Sequence, residues 1–570
     1  MKYYIDQNYC ANCIGCGTTC PTGAVVFNGV AKEIDQGKCI DCGRCLSYCN
    51  IGAIKTFEDE KRSAAIVKHN GYLEMDAALV VIGAGGGGMV AAARAAYLGV
   101  KNIVVLEKMY RYGGSAWFAH NLRAYNSKFQ QSKGIKDPTK DIIRDMQRQT
   151  NWELDPELVR DTIRKSGAFF DWVCEIGDHV ENRFELDEYP FEAPGGPLIP
   201  HYIEDQKTQD SMGIFMMSLM KKVCDEHGVQ ILTKHPVVDW EVQDGKITAV
   251  IAESEEGKVR VSCKACILSP GSWINNEEIV KKYVPLYARA QKPRSNHRLW
   301  ANTGDGIALA EKAGAYVDYS SFLIRYLTTF PFTPTTIGMQ VTADARAICV
   351  NLDGKRWIDE VNATDPHGAG LRNAQQPEGV SFAVFDDALL TKIGEEMKAP
   401  PPPDRSPAMG PLTPRPADWD IHDEFQEAFN EPIVTCFKAD TIEELAEQMG
   451  VPTDALVETV DRFNRDCDNG SDELYFKPDE LLFPIRKAPF YAVKTGLGTD
   501  GAFGGVLVNK NIQAYDKNMK PMDGLYVCGD FSSGRFRNVN GVKVQIINDF
   551  TWATTSGWIA ANHVVKWLAK

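Results

Sequence analysis

One stretch limits the architecture more than any other: ALVVIGAGGGGMVAAARAAYLGVKNIVVLEK, from Ala78 to Lys108. An apolar run, Leu79 to Ile82, turns through glycines into an Ala-rich segment with no β-branched residue between Ala91 and Gly99. The chain then returns as Ile103 to Leu106 and stops at Glu107. The pattern spells strand, tight turn, helix, strand, acid. Gly83 permits the sharp turn, Gly85, followed by Gly86 and Gly87, lets backbone approach a pyrophosphate, and Gly88 lets helix and strand pack closely. The helix N-terminus faces the phosphates, and Glu107, about two dozen residues after Gly83, is spaced to accept from ribose hydroxyls. The stretch therefore predicts a dinucleotide-binding α/β unit. A membrane span is excluded, because Arg94 and the glycines interrupt too short an apolar run.

A chain of 570 residues has room for three or four domains. Its net charge of −14 argues against nucleic acid or anionic membrane as a standing partner, since both present like charge. Met1 to Tyr9 has neither an apolar core nor a small-residue cleavage site. No signal peptide and no integral membrane segment are expected, and the expected compartment is the cytoplasm.

Of 16 cysteines, eight fall at the start, as Cys10, Cys13, Cys16, Cys20 and then Cys39, Cys42, Cys45, Cys49. Each set reads C-x2-C-x2-C-x3-C, and the flanks repeat with it. Ile5-Asp6-Gln7 recurs as Ile34-Asp35-Gln36, and Gly23-Ala24 as Gly52-Ala53. This is an internal duplication. Three closely spaced thiolates can bind three irons of a cubane while the fourth cysteine lies too far along the chain to join them, and in a duplicated module it ligates the other cluster. One [4Fe-4S] cluster is thus expected on Cys10, Cys13, Cys16 and Cys49, and a second on Cys39, Cys42, Cys45 and Cys20. Structural zinc sites instead come as separated C-x2-C pairs. The eight cysteines resemble those of bacterial dicluster ferredoxins over Met1 to Phe57, with one departure: Cys20 precedes Pro21, whereas Cys49 precedes Asn50. The remaining cysteines are scattered apart from Cys263-x2-Cys266, which lies in a strand-like run. No Cys-x2-Cys-His motif supports covalent haem.

Helices are expected between Asp141 and Gly177 and over Ser211 to His227, and strands over Val237–Val242, Ile247–Ala252 and Val259–Ile267. Glu192 to Pro200 and the proline-rich Pro400 to Pro416 read as loops.

The succession of Gly83–Gly88, Glu107-Lys108, Gly113-Gly114-Ser115, Pro270-Gly271, Asn302-Thr303-Gly304-Asp305-Gly306 and Gly524-Leu525-Tyr526-Val527-Cys528-Gly529-Asp530 resembles the flavoprotein subunits of fumarate reductases and succinate dehydrogenases. That family also holds 3-ketosteroid dehydrogenases and bacterial ene reductases. The resemblance implies a Rossmann-like FAD-binding domain with an inserted α+β capping domain, preceded here by a small ferredoxin-like 2[4Fe-4S] domain. The expected boundaries are 1–60 for the ferredoxin, 61–75 for a linker, 76–316 and 487–570 for the two parts of the FAD domain, and 317–486 for the cap. The cap includes Ala347 to Glu360 as a strand-turn-strand hairpin. The FAD contacts implied are Gly83, Gly85, Gly86, Gly87, Gly88, Glu107, Lys108, Gly113, Gly114, Ser115, Gly271, Asp305, Gly529 and Asp530, the last meeting the ribityl hydroxyls. No histidine accompanies Ser115-Ala116, so the FAD is expected to be noncovalent.

The cations that clamp a dicarboxylate in this family have no counterparts: Gln340, Ala343 and Thr364 occupy the matching positions, and Asp500 or Gly501 stands where a histidine is usual. The resemblance therefore implies an activated C=C bond in an α,β-unsaturated carbonyl or carboxylate other than fumarate. The catalytic candidates are Arg535, Arg537 and Lys543 for polarising the substrate, and Arg325, Tyr326 and Asp500 for supplying a proton. His297, in a basic polar loop, reads as structural. Electrons would come through the two clusters from a ferredoxin or another low-potential one-electron donor. Two other readings use the same parts: a CH–CH dehydrogenase of a cyclic ketone or steroid-like compound that passes electrons outward, and an electron-transfer subunit of a larger redox complex.

Overall fold

The Ala78–Lys108 stretch forms what its pattern requires. In the structure, a computed structural model, the strand Tyr72–Ile82 leads through Gly83 into the helix Gly86–Tyr97 and back into the strand Ile103–Leu106. The structure describes residues 3–7, 10, 15–18, 20–27, 32–49, 53–57, 71–119, 122–149, 152–177, 184–188, 198–202, 212–290, 295–296, 301–329, 344–361, 366–399, 415–429, 435–534 and 548–570.

Tyr72–Ile82 is the centre of a parallel sheet. Leu79 to Ile82 pair with Ile103 to Leu106, which pair in turn with Gln230–Leu232. On the other side Tyr72 to Ile82 pair with Lys258 to Leu268, whose end meets Leu525 to Val527. Leu79, Val80 and Val81 are wholly buried, as an apolar run covered on both faces must be. The strand begins at Tyr72, inside the segment expected to be linker. An antiparallel meander, Val237–Gln243, Lys246–Ser254 and Gly257–Leu268, edges this sheet. Asp549–Leu568 is the final helix, capped by the Asn548 side chain on the Thr551 amide. It crosses the Gly86–Tyr97 helix so closely that a Cβ on Gly557 would stand 2.2 Å from the Gly87 carbonyl.

The expected helices are present as Thr139–Gln149, Pro156–Ile176 and Met212–Glu226. One expectation is corrected. Leu198–Tyr202, whose first residues fall in the loop expected over Glu192 to Pro200, is a strand paired with Phe184–Glu188. Pro200 falls opposite Leu186 in this two-stranded ribbon, where a missing N–H leaves no inner ladder broken. Residues 400–414 and His297 lie outside the described residues.

The cap is tied in by one long strand, Phe490–Phe503. Its first half pairs with Ser381–Asp386 and Cys436–Ala439, its second half with Leu323–Thr329. The boundary expected at 486/487 thus precedes a strand shared by both regions. Of the expected hairpin, Ile348–Asn351 is a regular strand, but its return is a single bridge from Val350 to Arg356. The Arg356 side chain turns inward instead. It donates to Glu360 at 2.8 Å and to Asp472 at 2.8 Å, while Lys477 stands 3.0 Å from Glu360. All four side chains are at most 2% exposed, so two cations and two carboxylates neutralise one another inside the cap.

The N-terminal module carries the duplication into its hydrogen bonds. Tyr3–Ile5 pairs with Ile54–Thr56, and Val25–Phe27 with Lys32–Ile34. The Asp6 amide donates to the Ala53 carbonyl at 2.7 Å and, one repeat on, the Asp35 amide donates to Ala24 at 2.7 Å. Each half closes on the other. Its core of Tyr3, Ile5, Ala24, Ile34, Ala53 and Ile54 is continuous with Met109 and Ala301 of the larger domain.

Candidate functional site

The glycine turn has the geometry a pyrophosphate needs. Gly83 has φ of +92°, and a Cβ there would lie 2.1 Å from the Ser269 carbonyl. A Cβ on Gly88 would lie 1.9 Å from the Gly83 carbonyl, so only glycine lets this helix start against its own strand. A Cβ on Gly85, by contrast, meets nothing within 4 Å. That open space sits at a helix N-terminus without side-chain cap, where unused amides and the helix dipole favour an anion. Next to Gly271, the buried Ser272 hydroxyl has no protein partner among the described residues. An open cradle, free amides and an orphaned hydroxyl fit FAD.

Glu107 is 7% exposed, and its two carboxylate oxygens accept from the Ala84 amide at 2.7 Å and the Met109 amide at 2.8 Å. Burial pushes its carboxyl up, against those two amides. It thus braces the turn, and each oxygen retains a lone pair for a further donor. Lys108 lies 2.8 Å from the Thr303 hydroxyl and 2.5 Å from Asp305, pinning the 302–306 segment to the end of the Ile103–Leu106 strand. Gly113 bridges to Gly85, its amide 2.6 Å from the Ala84 carbonyl, and leads into the short helix Gly114–Phe118 with Ser115. Gly529 and Asp530 follow Pro521–Val527, the Gly529 amide held by the Ser556 hydroxyl at 3.0 Å. These segments, far apart in sequence, meet at the ends of the parallel strands, where ligands bind in such sheets.

Cys20, Cys39, Cys42 and Cys45 line one cavity together with Tyr3, Val25, Ile34 and Ile40. None of these cysteines is in a disulfide. They ring the cavity without converging on a point; among the described residues no three His, Cys, Asp or Glu side chains stand close enough to hold a single metal ion. Four thiols around an apolar hollow fit a multi-iron cluster. The repeat shows again in the sulfur contacts: the Ala24 amide donates to Cys20 Sγ at 3.2 Å and the Ala53 amide to Cys49 Sγ at 3.2 Å. Cys10, Cys16 and Cys49 lie in the same small core as Cys20, Cys39 and Cys45, and Cys13 lies outside the described residues.

The catalytic candidates divide. Arg535, Arg537 and Lys543 lie outside the described residues. So do Gln340, Ala343 and Thr364. Arg325, Tyr326 and Asp500 are brought together by backbone register: Arg325 pairs with Gly501 and Tyr326 with Thr499, leaving Asp500 as the extra residue of a bulge. Bulges of this kind re-aim a side chain and are frequent beside active sites. The Thr499 hydroxyl accepts from the Gly501 amide at 3.1 Å, bracing the bulge.

Sequence reasoning missed Arg111 and Trp117. Arg111 stacks its guanidinium 3.8 Å above the Trp117 ring. Neither residue belongs to the Gly113-Gly114-Ser115 motif that lies between them, so only the fold reveals the pair. Among the described residues no helix is long and apolar enough to cross a membrane.

Comparison with known proteins agrees with this geometry. A family model described as 4Fe-4S dicluster domain matches residues 2–50. The vinyl phenol reductase of Lactiplantibacillus plantarum is 27% identical over 82% of this chain and 91% of its own length. The urocanate reductase of Eggerthella lenta is 26% identical over 89% of this chain and 78% of its own. The open conformation of a flavocytochrome c3 fumarate reductase superposes with a TM-score of 0.66 at 21% identity, covering 90% of this chain and 81% of that one. FAD and iron–sulfur are thus the cofactors of its two modules, and since the model described as FAD binding domain matches residues 78–542, the chain belongs to that FAD-binding family.

Proposed function

We propose that this protein is a cytoplasmic iron–sulfur flavoenzyme that reduces an activated C=C bond in an α,β-unsaturated carbonyl or carboxylate, not fumarate, with electrons from an external low-potential carrier such as a ferredoxin. The observation that carries the reading is the shared core of the two modules. Met109, 7% exposed among the ferredoxin residues, is two positions beyond the Glu107 that braces the glycine turn. A module packed there serves the flavin. The names of the relatives support a C=C substrate, two of them being reductases of vinyl phenol and urocanate.

Bound FAD supplies hydride to the β-carbon, and two [4Fe-4S] clusters supply single electrons. The chain's own residues do the rest. Cys10, Cys13, Cys16 and Cys49 hold one cluster, and Cys39, Cys42, Cys45 and Cys20 the other; the common cavity of the second set supports this crossed assignment. Gly83 to Gly88 with Gly113, Gly114 and Ser115 hold the pyrophosphate, Glu107 takes a ribose hydroxyl, and Asp530 takes the ribityl chain. Lys108, Asp305 and Gly271 fix the strand ends around them. Arg325, Tyr326 and Asp500, gathered at the bulge, deliver the proton to the α-carbon. Arg535, Arg537 and Lys543 draw charge toward the substrate carbonyl as it develops.

Anoxic turnover with reduced viologen tests the reading against a panel of enoates, enones, urocanate, vinylphenols and fumarate. The expected result is turnover of at least one unsaturated monocarbonyl or conjugated compound and none of fumarate. Inactivity across the panel, or a flavin that stays oxidised while the clusters are reduced, overturns it.

A further inference from the structure

The helix Pro366–Ala374 packs along the strand Leu323–Thr329, whose Arg325 and Tyr326 pair with Gly501 and Thr499 around the Asp500 bulge. Just past the helix the chain is held to the same sheet: a Cβ on Gly379 would stand 3.3 Å from the Cβ of Leu497, and Leu497 pairs with Thr328. Arg372 and Gln375 are exposed and mark the outer face of the helix, whereas Ala369, Gly370, Asn373 and Ala374 are buried and mark the inner one. Ala369 packs with Trp357 and Ile358 of the cap, and Ala374 belongs to the large core around the parallel sheet. At about 100° per residue, Asn373 falls between those two directions, in the seam between the cap and the FAD-binding region.

Asn373 is wholly buried, yet neither its amide oxygen nor its amide nitrogen has a hydrogen-bond partner among the described residues. The indole N–H of Trp357, 3% exposed, has none there either. Buried polar groups are nearly always paired in a working protein, so donors and an acceptor set in this seam point to a polar ligand. The ligand group is uncharged, because the cations nearest in sequence are committed: Arg356 to Glu360 and Asp472, and the exposed Arg372 to Gln375 at 3.0 Å. The end of the helix is braced as well. Gln376 donates to the Arg372 carbonyl at 3.1 Å and accepts from the Asn351 amide group at 3.1 Å, which fixes the turn that presents Asn373.

We propose that Asn373 is a specificity-determining residue that receives a hydroxyl group on the substrate, remote from the C=C bond. The inference rests on the C=C reduction given under Proposed function and narrows its substrate to hydroxylated α,β-unsaturated carbonyls and carboxylates. A hydroxyl both donates and accepts, so it satisfies the amide oxygen and the amide nitrogen together. A carbonyl or ether at that place would leave the amide oxygen unmet, and a second carboxylate would be buried without a cation. Discrimination of this kind works by rejection: the analogue without the hydroxyl enters, and leaves the Asn373 amide unpaired.

Anoxic turnover of the holoenzyme with reduced viologen tests this on aromatic and alicyclic enones and enoates taken in pairs that differ only in a remote hydroxyl, para-hydroxycinnamate against cinnamate among them. The wild type is expected to favour the hydroxylated member of at least one pair in kcat/KM by roughly 10–100-fold, the effect of one or two unmade buried hydrogen bonds. Asn373→Leu, which keeps the size and removes the polar atoms, should abolish that preference while turning over the plain member at the wild-type kcat. Asn373→Ala adds no bulk and gives the same result should the Leu variant fold poorly, and Trp357→Phe lowers the preference in part. Flavin and iron per chain stay at the wild-type level in all three. A purely structural amide would change the melting temperature and leave the ratio within each pair untouched. Equal turnover within every pair by the wild type, or a preference that survives in both Asn373 variants, overturns the inference while leaving C=C reduction standing. No turnover of any unsaturated compound overturns both.

Discussion

Replacing Asp472 by Asn tests the buried charge network that holds the cap together. Asp472 is wholly buried and accepts from Arg356 through both oxygens, at 3.1 and 2.8 Å, and from the Leu474 amide at 3.0 Å. Despite burial, which pushes it up, the Arg356 guanidinium holds its carboxyl at about 2, against an ordinary 3.8. At 1.36 kcal/mol per pH unit, neutralising it costs about 2.5 kcal/mol. The Asn variant also leaves Arg356 and Lys477 facing the single carboxylate of Glu360, and removing one member of such a set typically costs 3–5 kcal/mol. About 3 kcal/mol is therefore expected, or roughly 6–12 °C in the melting temperature of a cap-sized unit. Because the folded carboxyl titrates below the unfolded one, its stabilisation is complete above about pH 4 and is lost as pH falls toward 2. The Asn variant should lose that acid dependence. Hydrogen exchange reads the effect locally at the Cys349 amide, which donates to Glu360 at 3.0 Å. The double variant Arg356→Met with Asp472→Leu removes both charges and should recover most of the loss. A loss below about 1 kcal/mol, or a double variant no better than the single, refutes the reasoning.

Three other outcomes are expected. Gly88→Ala places a methyl 1.9 Å from the Gly83 carbonyl; the helix must shift, and the purified protein should lose most of its flavin absorbance while iron per chain is unchanged. Glu107→Gln turns an N–H toward either the Ala84 or the Met109 amide, both donors. FAD affinity measured by titration of the apoprotein should fall by about tenfold or more, in line with one unmade buried hydrogen bond of 1–3 kcal/mol. Cys20→Ser should remove about half of the iron and leave one paramagnetic cluster, since its thiol shares a cavity with Cys39, Cys42 and Cys45 but not with Cys49; retention of both clusters would contradict the crossed assignment.

Local pattern carried far where the chemistry itself is local. The Leu79–Ile82 and Ile103–Leu106 runs, the glycines between them and the terminal Glu107 spell a strand-helix-strand unit because each residue's job is settled by neighbours within one turn or strand. The eight cysteines were equally legible, because a repeated spacing survives in the sequence whatever surrounds it. Legibility failed where a contact spans the chain. Arg356 falls within the expected Ala347 to Glu360 hairpin, yet its side chain is claimed by Asp472, 116 residues away. Leu198–Tyr202 became a strand only because Phe184–Glu188 was there to pair with it.

The cofactor set and the class of fold were already written in residue order, since thiol spacing and glycine placement are covalent facts that no packing can alter. How the two modules meet was not written there. Burial of Met109 among the ferredoxin residues arises only when two separately encoded modules close on each other, and the strength of any charge interaction near that seam depends on what the closure excludes from water.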